Sequence, residues 1–114
     1  MEQMITQREL YNMYGITRRM IQGYQEAGLI SASAKNKYGH LLYDRADAIE
    51  RIAQIIFYRK LGLNNKEIKG VIDAPNAVKK EVISRQITYL KAEQENLSDI
   101  LQEAQKRLAQ LETE

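Results

Sequence analysis

The chain lacks cysteine and tryptophan and has one proline and one histidine in 114 residues. Without cysteine there is no disulfide, thiol nucleophile or thiolate metal site, and this composition suits a reducing compartment such as the cytoplasm. The single histidine, His40, cannot form a catalytic dyad or a metal site without a cluster of partner side chains. We therefore expect a protein that is not an enzyme and that has no metal and no cofactor.

Long apolar runs are also missing. No segment approaches the roughly 20 apolar residues that a membrane-spanning helix needs. The first residues, MEQMITQREL, lack the basic-then-apolar pattern of a secretion signal. We therefore expect no membrane partner, and a cytoplasmic protein.

An excess of charge of either sign is also missing: 17 Lys or Arg stand against 15 Asp or Glu, which gives a net charge of +2. Residues 1–75 hold 11 Lys or Arg against 8 Asp or Glu, whereas residues 76–114 hold 6 against 7. Phosphate binding depends on local cation clusters more than on total charge, so the basic excess of the first part permits nucleic-acid binding without proving it.

The first pattern with structural meaning is a capping box in residues 6–9, TQRE, which predicts a helix start. The helix is expected to run to about Tyr14 with Leu10 and Met13 facing inward. Gly15 can adopt a positive φ and is expected to end it.

A second, polar helix is predicted within residues 15–30, GITRRMIQGYQEAGLI. Thr17 is expected to cap it. Its apolar residues recur at helical spacing and form one stripe: Met20, Ile21, Tyr24 and Ala27. Its polar face carries Arg18, Arg19 and Gln22. A short polar helix held by a turn against another helix is the usual element that enters a DNA groove.

A β-hairpin, or wing, is predicted next. Leu29 with Ile30 and residues 41–43 favour strands, and the ten residues between them, SASAKNKYGH, are small, polar and basic. The candidate DNA contacts on this wing are Lys35, Lys37, Tyr38, Gly39 and His40.

Two more helices are predicted before Pro75. The third starts near Asp44 or Asp47, and its apolar positions are Ile49, Ile52, Ala53, Ile56, Phe57 and Leu61. The fourth is capped by Asn64 or Asn65, with Ile68, Val71 and Ile72 inward. Pro75, the only proline, is expected to separate a domain of residues 1–75 from residues 76–114.

The last region, residues 76–114, contains neither glycine nor proline. Its seam positions alternate steps of 4 and 3, as in a coiled coil, and they are Ile83, Ile87, Leu90, Gln94, Leu97, Leu101, Ala104, Leu108 and Leu111. A self-packing hairpin is the alternative, but no turn signal interrupts the region. We expect a dimerisation helix that pairs with a second copy, in which Gln94 helps to fix the register.

Together these motifs resemble the MerR family of bacterial transcription regulators. Residues 16–24 (ITRRMIQGY) with Gly28-Leu29 correspond to the family's helix-turn-helix motif, residues 39–43 to the end of its wing, and residues 61–68 to a later helix start. Residues 55–62, IIFYRKLG, are most similar to the drug-responsive branch that contains TipA and Mta.

The resemblance implies a winged helix-turn-helix DNA-binding domain and a homodimer that binds a near-palindromic promoter site. It implies DNA distortion, action with RNA polymerase, and a phosphate contact by the Tyr24 hydroxyl, although Tyr24 could equally be a core residue. Gln22, Gly23 and Leu41 depart from the family pattern, so the target sequence is not carried over. Many members have an effector domain after the coiled coil. This sequence shows none, as expected of a minimal regulator, a part of a longer protein, or a regulator that receives its signal through a partner.

Two other functions remain open from the sequence alone. The chain could be a protein-interaction adaptor with a degenerate DNA-binding head, because two family arginines are replaced. It could also be an architectural, excisionase-like DNA binder that bends DNA without acting on a promoter. Arg18 and Arg19 could be ordinary solvated charges, and the wing could be only a polar loop. The helix-turn-helix context favours DNA contact for both.

Overall fold

A computed structural model describes residues 3–113. It is mainly helical, with one small antiparallel sheet and a long final helix, which confirms the predicted fold class. The elements in chain order are β1 Met4–Thr6, α1 Gln7–Tyr14, α2 Arg18–Glu26, β2 Ala34–Lys35, β3 Leu41–Asp44, α3 Arg45–Lys60, α4 Asn65–Val71 and α5 Asn76–Glu112. We call residues 3–75 the head.

The predicted starts of the four helices of the head are confirmed, and each is explained by a side-chain cap. Thr6 and Glu9 form a reciprocal capping box at α1, in which the Glu9 amide donates to Thr6 Oγ1 at 3.2 Å. The Met20 amide of α2 donates to Thr17 Oγ1 at 3.1 Å. Asp44 caps α3 and Asn64 caps α4 in the same way.

The sheet differs from the predicted hairpin. Its strand order is β1-β3-β2, with Ile5 opposite Tyr43 and Ala34 opposite Leu42. The prediction of a strand at Leu29 and Ile30 is wrong. These two residues follow a turn at Gly28, where φ is 75°, and they are buried in the core. Strand β1 was not predicted, because three residues are too few to show a period of two.

The core of the head is built from side chains of all its helices and of the sheet. Its buried residues are Ile5, Leu10, Ile21, Tyr24, Leu29, Ile30, Tyr43, Ala48, Ile52, Ile55, Tyr58, Leu63, Ile68, Val71 and Ile72. The inward positions predicted for α4 are therefore confirmed.

Several apolar side chains that were predicted to face inward are exposed instead. Met13 on α1, Met20 on α2, and Ala53 and Phe57 on α3 all lie at the surface. In α3 the buried face contains Ala48, Ile52, Ile55 and Tyr58. Because α3 carries apolar residues on more than one face, periodicity alone selects a neighbouring stripe.

Helix α5 has 37 residues, none of them buried. Near its start Val82 and Ile83 pack partly against the core, and the Gln86 side-chain amide donates to the Leu61 carbonyl at 2.8 Å. Beyond Gln86 the helix projects from the head with its apolar side chains uncovered. Across residues 3–113, no helix is both long and apolar enough to cross a membrane.

Candidate nucleic-acid interface

The buried side of helix α2 determines how the helix is oriented about its own axis. Ile21 is fully buried, which turns the opposite face, with Arg18, Arg19 and Gln22, toward solvent. Within residues 3–113 no carboxylate forms an ion pair with either arginine. Two unpaired guanidinium groups on an exposed helix face are suited to guanine edges or to phosphate oxygens.

A groove lies between this face, α1 and the wing. It has a volume of about 1100 Å³. Its lining residues are Thr6, Gln7, Arg8, Tyr11, Arg18, Gln22, Gln25, Glu26, Gly39, His40 and Leu41. The structure therefore brings four of the predicted DNA contacts into one depression. Arg19, Thr17, Lys35, Lys37 and Tyr38 are exposed but do not line it.

The wing tip is shaped by Asn36, which sequence reasoning did not single out. Its side-chain oxygen accepts hydrogen bonds from the Tyr38 amide at 2.9 Å and from the His40 amide at 3.0 Å. The backbone N–H of Asn36 donates to the backbone carbonyl of His40, and Gly39 adopts a φ of 82°. This compact turn is an Asx-type device that holds the tip in one conformation.

The side chains of the tip are exposed and lie close to each other. The Lys37 ammonium lies 5.2 Å from the centre of the Tyr38 ring, and that ring is 6.3 Å from the His40 ring. Tyr38 is 72% exposed. An exposed aromatic and a lysine on a fixed turn form a surface that suits the sugar-phosphate backbone.

Tyr24 does not lie at the rim of the groove, so this part of the sequence-based interpretation is wrong. Its side chain is 2% exposed and its hydroxyl is covered by protein. Burial raises the pKa of the phenol, and the nearby Arg59 charge offsets this in part. The hydroxyl has no hydrogen-bond partner among residues 3–113. Since it is out of reach of a phosphate, Tyr24 is a core residue here.

A polar triad that the sequence did not reveal connects the wing to both helices. The Tyr43 hydroxyl of β3 donates to the Gln25 side-chain oxygen of α2, and the Gln7 side-chain amide of α1 donates to the Tyr43 hydroxyl at 3.1 Å. Gln7 and Gln25 also line the groove, as does Arg8. One hint in the sequence pointed to Arg8: it lies in the capping box of α1, the helix that precedes the polar helix. The glutamines gave no signal, because their contact is between distant parts of the chain.

Residues 3–113 contain no group of three His, Asp or Glu side chains placed to hold a metal ion. The groove has cations and amides along its walls, together with the single carboxylate of Glu26. This arrangement suits a polyanion surface and a pattern of hydrogen-bonding edges.

The comparison with known sequences identifies the family. The sequence model of a protein family, described as MerR HTH family regulatory protein, matches residues 5–75. The HTH-type transcriptional activator mta of Bacillus subtilis is 28% identical over 95 residues, which are 83% of this chain and 37% of that protein. The activator TipA of Streptomyces coelicolor is 36% identical over 78 residues, 68% of this chain and 30% of that protein. The chain spans about a third of the length of these relatives.

Solved structures agree with the sequence match. MtaN, the N-terminus of the Bacillus subtilis multidrug transporter activator, superimposes with a TM-score of 0.73 at 26% identity, covering 91% of this chain and 97% of the other. A MerR-family regulator of Bacillus cereus also gives 0.73 and 26%, covering 87% and 75%. The family consists of regulators and is not enzymatic. The chain belongs to the MerR family of HTH regulatory proteins.

Proposed function

We propose that this chain is a DNA-binding transcription regulator that acts as a homodimer on a near-palindromic promoter site, with one α2 helix in each of two successive major grooves. Residues 1–75 serve as the DNA-binding domain and residues 76–114 as the dimerisation helix. The observation that carries this proposal is the exposed polar face of α2, beside a groove bounded by the wing. The arginines of this face form no ion pair with any residue that the structure describes.

The side chains divide into two roles. Arg18, Arg19 and Gln22 read base edges, because arginine suits guanine O6 and N7 and glutamine suits adenine. The wing residues and Thr17 contact the backbone, which sets the register on the duplex without reading sequence. The proposed backbone contacts are Thr17, Lys35, Lys37, Tyr38, Gly39 and His40, and Arg8 joins them because it lines the same groove.

The dimer rests on the exposed seam of α5. A stripe of large apolar side chains along a helix in water calls for a partner helix, and a second copy of the chain has a matching stripe. Ile83 packs partly against the head. Beyond it, seven seam residues are apolar and one is polar: Ile87, Leu90, Leu97, Leu101, Ala104, Leu108, Leu111 and Gln94. Leu97, Leu101, Leu108 and Leu111 are each about 60% exposed.

Seam composition favours an antiparallel pair. When Leu97 lies beside the partner's Leu101, Gln94 lies beside the partner's Ala104. The small alanine leaves room for the amide to reach solvent. A parallel pair in register would instead place two Gln94 side chains against each other in the seam, and two Ala104 side chains would leave a gap.

The positions that flank the seam fit the same register. Glu93 then faces the partner's Arg107, an ion pair that occurs twice by symmetry. Ile100, which is 53% exposed, faces the partner's Ile100 at the centre. A parallel pair would place Ile100 beside the polar Gln105 and leave it partly wetted.

An antiparallel pair also sets the heads apart. Its centre lies near residue 99, about 16 residues from Ile83, or about 24 Å at 1.5 Å per residue. The two attachment points are therefore roughly 48 Å apart, a scale that suits half-sites separated by one or more turns of DNA, about 34 Å each. Central base pairs between the heads can be bent or untwisted without direct contact. Such distortion would realign promoter elements for RNA polymerase in the cytoplasm, at the nucleoid.

A binding measurement tests the DNA function. The promoter fragment upstream of the chain's own gene and a shuffled fragment of equal length are compared by mobility shift at fixed salt. We expect at least about 10³-fold tighter binding to the promoter fragment, the lower bound for specific recognition. A second experiment selects the best-bound sequence from a pool of random DNA. If the protein binds both the promoter fragment and the selected sequence less than about tenfold more tightly than the shuffled fragment, the proposal is contradicted and the adaptor is favoured.

Transcription in vitro separates a regulator from an architectural binder. Purified RNA polymerase is supplied with the promoter template with and without the protein, and DNA bending is followed by energy transfer between dyes at the fragment ends. A change in transcript level together with bending supports the proposal. Bending without any change in transcript would favour the excisionase-like alternative.

A further inference from the structure

Arg51 joins three parts of the head through a single guanidinium group. It lies on α3, with its side chain 24% exposed. Its Nε donates to the Leu29 carbonyl at 2.7 Å, and its two terminal nitrogens donate to the Asp73 carboxylate at 2.6 and 2.7 Å. This bidentate pair fixes direction as well as distance, because the planar fork and the carboxylate align along two parallel bonds.

The Leu29 carbonyl belongs to the turn that ends the DNA-reading helix α2. The preceding carbonyl, that of Gly28, accepts from the Lys69 ammonium of α4 at 2.8 Å. Two consecutive carbonyls after α2 are thus held by cations from α3 and α4. Carbonyls beyond a helix end have no partner within the helix, so these two bonds set where that end of α2 rests on the head.

Asp73 belongs to the other side of this connection. It stands between the end of α4 at Val71 and the start of α5 at Asn76. The hydrogen bond from Arg51 holds the pKa of the Asp73 carboxyl below its ordinary value, and it raises that of the guanidinium. The pair therefore connects the α4–α5 junction to the turn after α2.

The geometry points to Arg51 and Asp73 as a positioning clamp that fixes the direction of α5 relative to α2, and through it the half-site spacing that the dimer accepts. This inference rests on the proposed function, namely DNA binding by two heads held apart by paired α5 helices. Neither residue is assigned a contact with DNA. Their effect on recognition is through the angle between the two helices.

The length of α5 makes this angle important. From Ile83 to the proposed centre of the pair the helix is a lever of about 24 Å at 1.5 Å per residue. A tilt of about 10° at its base displaces the centre by about 4 Å, which exceeds the rise of about 3.4 Å per base pair. Outside the clamp, the base of α5 is held by the partly buried Val82 and Ile83 and by the Gln86 bond to Leu61.

A distance measurement between α2 and α5 tests the clamp without DNA. The chain has no cysteine, so Glu26→Cys and Glu95→Cys, both at exposed positions, provide two unique sites for spin labels. Doubly labelled chain is mixed with excess unlabelled chain, so that distances within one subunit dominate. We expect a narrow distance distribution in the unsubstituted background and a broader or shifted one with Asp73→Ala.

A spacing series tests the consequence for recognition. DNA with one half-site, and DNA with two half-sites moved apart or together in steps of one base pair, are titrated with each variant. The unsubstituted chain should lose about tenfold or more in affinity one step from its optimum, and Asp73→Ala less than about threefold, because simultaneous engagement depends on geometry. Half-site affinity should agree within about twofold between the two proteins.

Glu50→Ala is the matched control. Glu50 lines the same cleft as Asp73, so its loss also removes one carboxylate there, but it leaves the bidentate pair of Arg51 and Asp73 intact. Arg51→Lys is the second variant. It keeps the positive charge, but one ammonium cannot replace the bidentate pair and the Leu29 bond together. We expect it to resemble Asp73→Ala, and Glu50→Ala to resemble the unsubstituted chain.

The possible results separate the clamp from the proposed function. An unchanged distance distribution in Asp73→Ala and Arg51→Lys overturns the clamp, whatever the DNA data show. A broader distribution with an unchanged spacing profile overturns its role in recognition, as does an equal loss of half-site and full-site affinity. If the unsubstituted chain binds no DNA specifically, the proposed function and the recognition role fail, while the distance measurement still decides whether the clamp fixes α5.

Discussion

The head and helix α5 bury their apolar residues in opposite ways. The head has fifteen hydrophobic residues in its core. Helix α5 is about half as long in sequence as the head, and none of its residues is buried. The head thus satisfies its own hydrophobic pattern, whereas the pattern of α5 is satisfied only when another surface covers it. The difference is what the proposed pairing of α5 with a second copy would explain.

The helix ends show the same contrast. Helices α1 to α4 begin at side-chain caps provided by Thr6, Thr17, Asp44 and Asn64. Helix α5 begins after Pro75 with no side-chain cap. Caps specify a start locally, which short helices need. A helix of 37 residues depends less on its first turn, and the proposed pairing along one side would stabilise it further.

The largest expected effect comes from breaking the seam. Leu101→Glu should abolish the dimer and lower affinity for a full site by roughly 10² to 10⁴-fold, because the second head then binds independently. Affinity for a single half-site should stay unchanged. Sedimentation and DNA titration measure both. Tyr89→Glu, an exposed aromatic outside the seam, is the control and should have little effect. A Leu101→Glu protein that stays dimeric would show that α5 pairs through another face.

A cavity in the core of the head is expected to have the next largest effect. Ile21→Ala should lower the free energy of unfolding by about 2 to 5 kcal/mol, since Ile21 is fully buried. Met20→Ala, at the preceding residue of the same helix, which is exposed, should change it by less than about 1 kcal/mol. Urea unfolding measures both. Equal effects would mean that the inward face of α2 has been assigned wrongly.

The sequence predicts those elements of the head that carry local signals. Caps at Thr6 and Thr17, the glycine stop at Gly15 and the proline before α5 all lie where the patterns place them. Strand β1 was missed and the wing strand β2 was placed too early, because pairing with β3 is decided by contacts between distant residues. Apolar side chains on several faces of α3 also obscured which stripe is buried.

The candidate site was predictable in part for the same reason. The polar face of α2 follows from helical periodicity, so Arg18, Arg19 and Gln22 could be named from sequence. The contribution of Gln25 depends on Tyr43, which is 18 residues away, and the groove exists only once α1 and the wing are in place. No sequence period reports such contacts, and local patterns also could not show that the Tyr24 hydroxyl is covered.

An intermediate effect is expected on the reading face of the head. Arg19→Ala should weaken binding to the cognate site by about 1 to 3 kcal/mol, or roughly 5 to 150-fold, and binding to random DNA much less. Titration of both DNAs at one salt concentration measures this. Gln54→Ala, a polar side chain of α3 away from the groove, is the control. Unchanged cognate binding in Arg19→Ala would show that this helix face does not read bases.

A smaller effect is expected at the wing, where the contact is with the backbone. Lys37→Ala should weaken cognate and random DNA alike, by a few-fold, and should lower the salt slope of binding by about 1. Titrations over a range of salt concentrations measure the slope. Lys60→Ala, which removes an exposed lysine of α3 that does not line the groove, should leave the slope unchanged. A loss confined to cognate DNA in Lys37→Ala would instead assign this lysine a role in sequence reading.

The smallest effect is expected where the sequence-based interpretation failed. Tyr24→Phe removes a hydroxyl that is covered and has no partner among the residues the structure describes. Its loss should leave DNA affinity unchanged, and should leave the free energy of unfolding unchanged or raise it by up to about 1 kcal/mol, because an unpaired buried hydroxyl is costly. Tyr89→Phe, at an exposed tyrosine of α5 that lies outside the seam and does not line the groove, is the matched control and should change neither quantity. If Tyr24→Phe alone weakened DNA binding with unfolding unchanged, the hydroxyl would have to become exposed on DNA, and the core of the head would be less self-contained than its packing indicates.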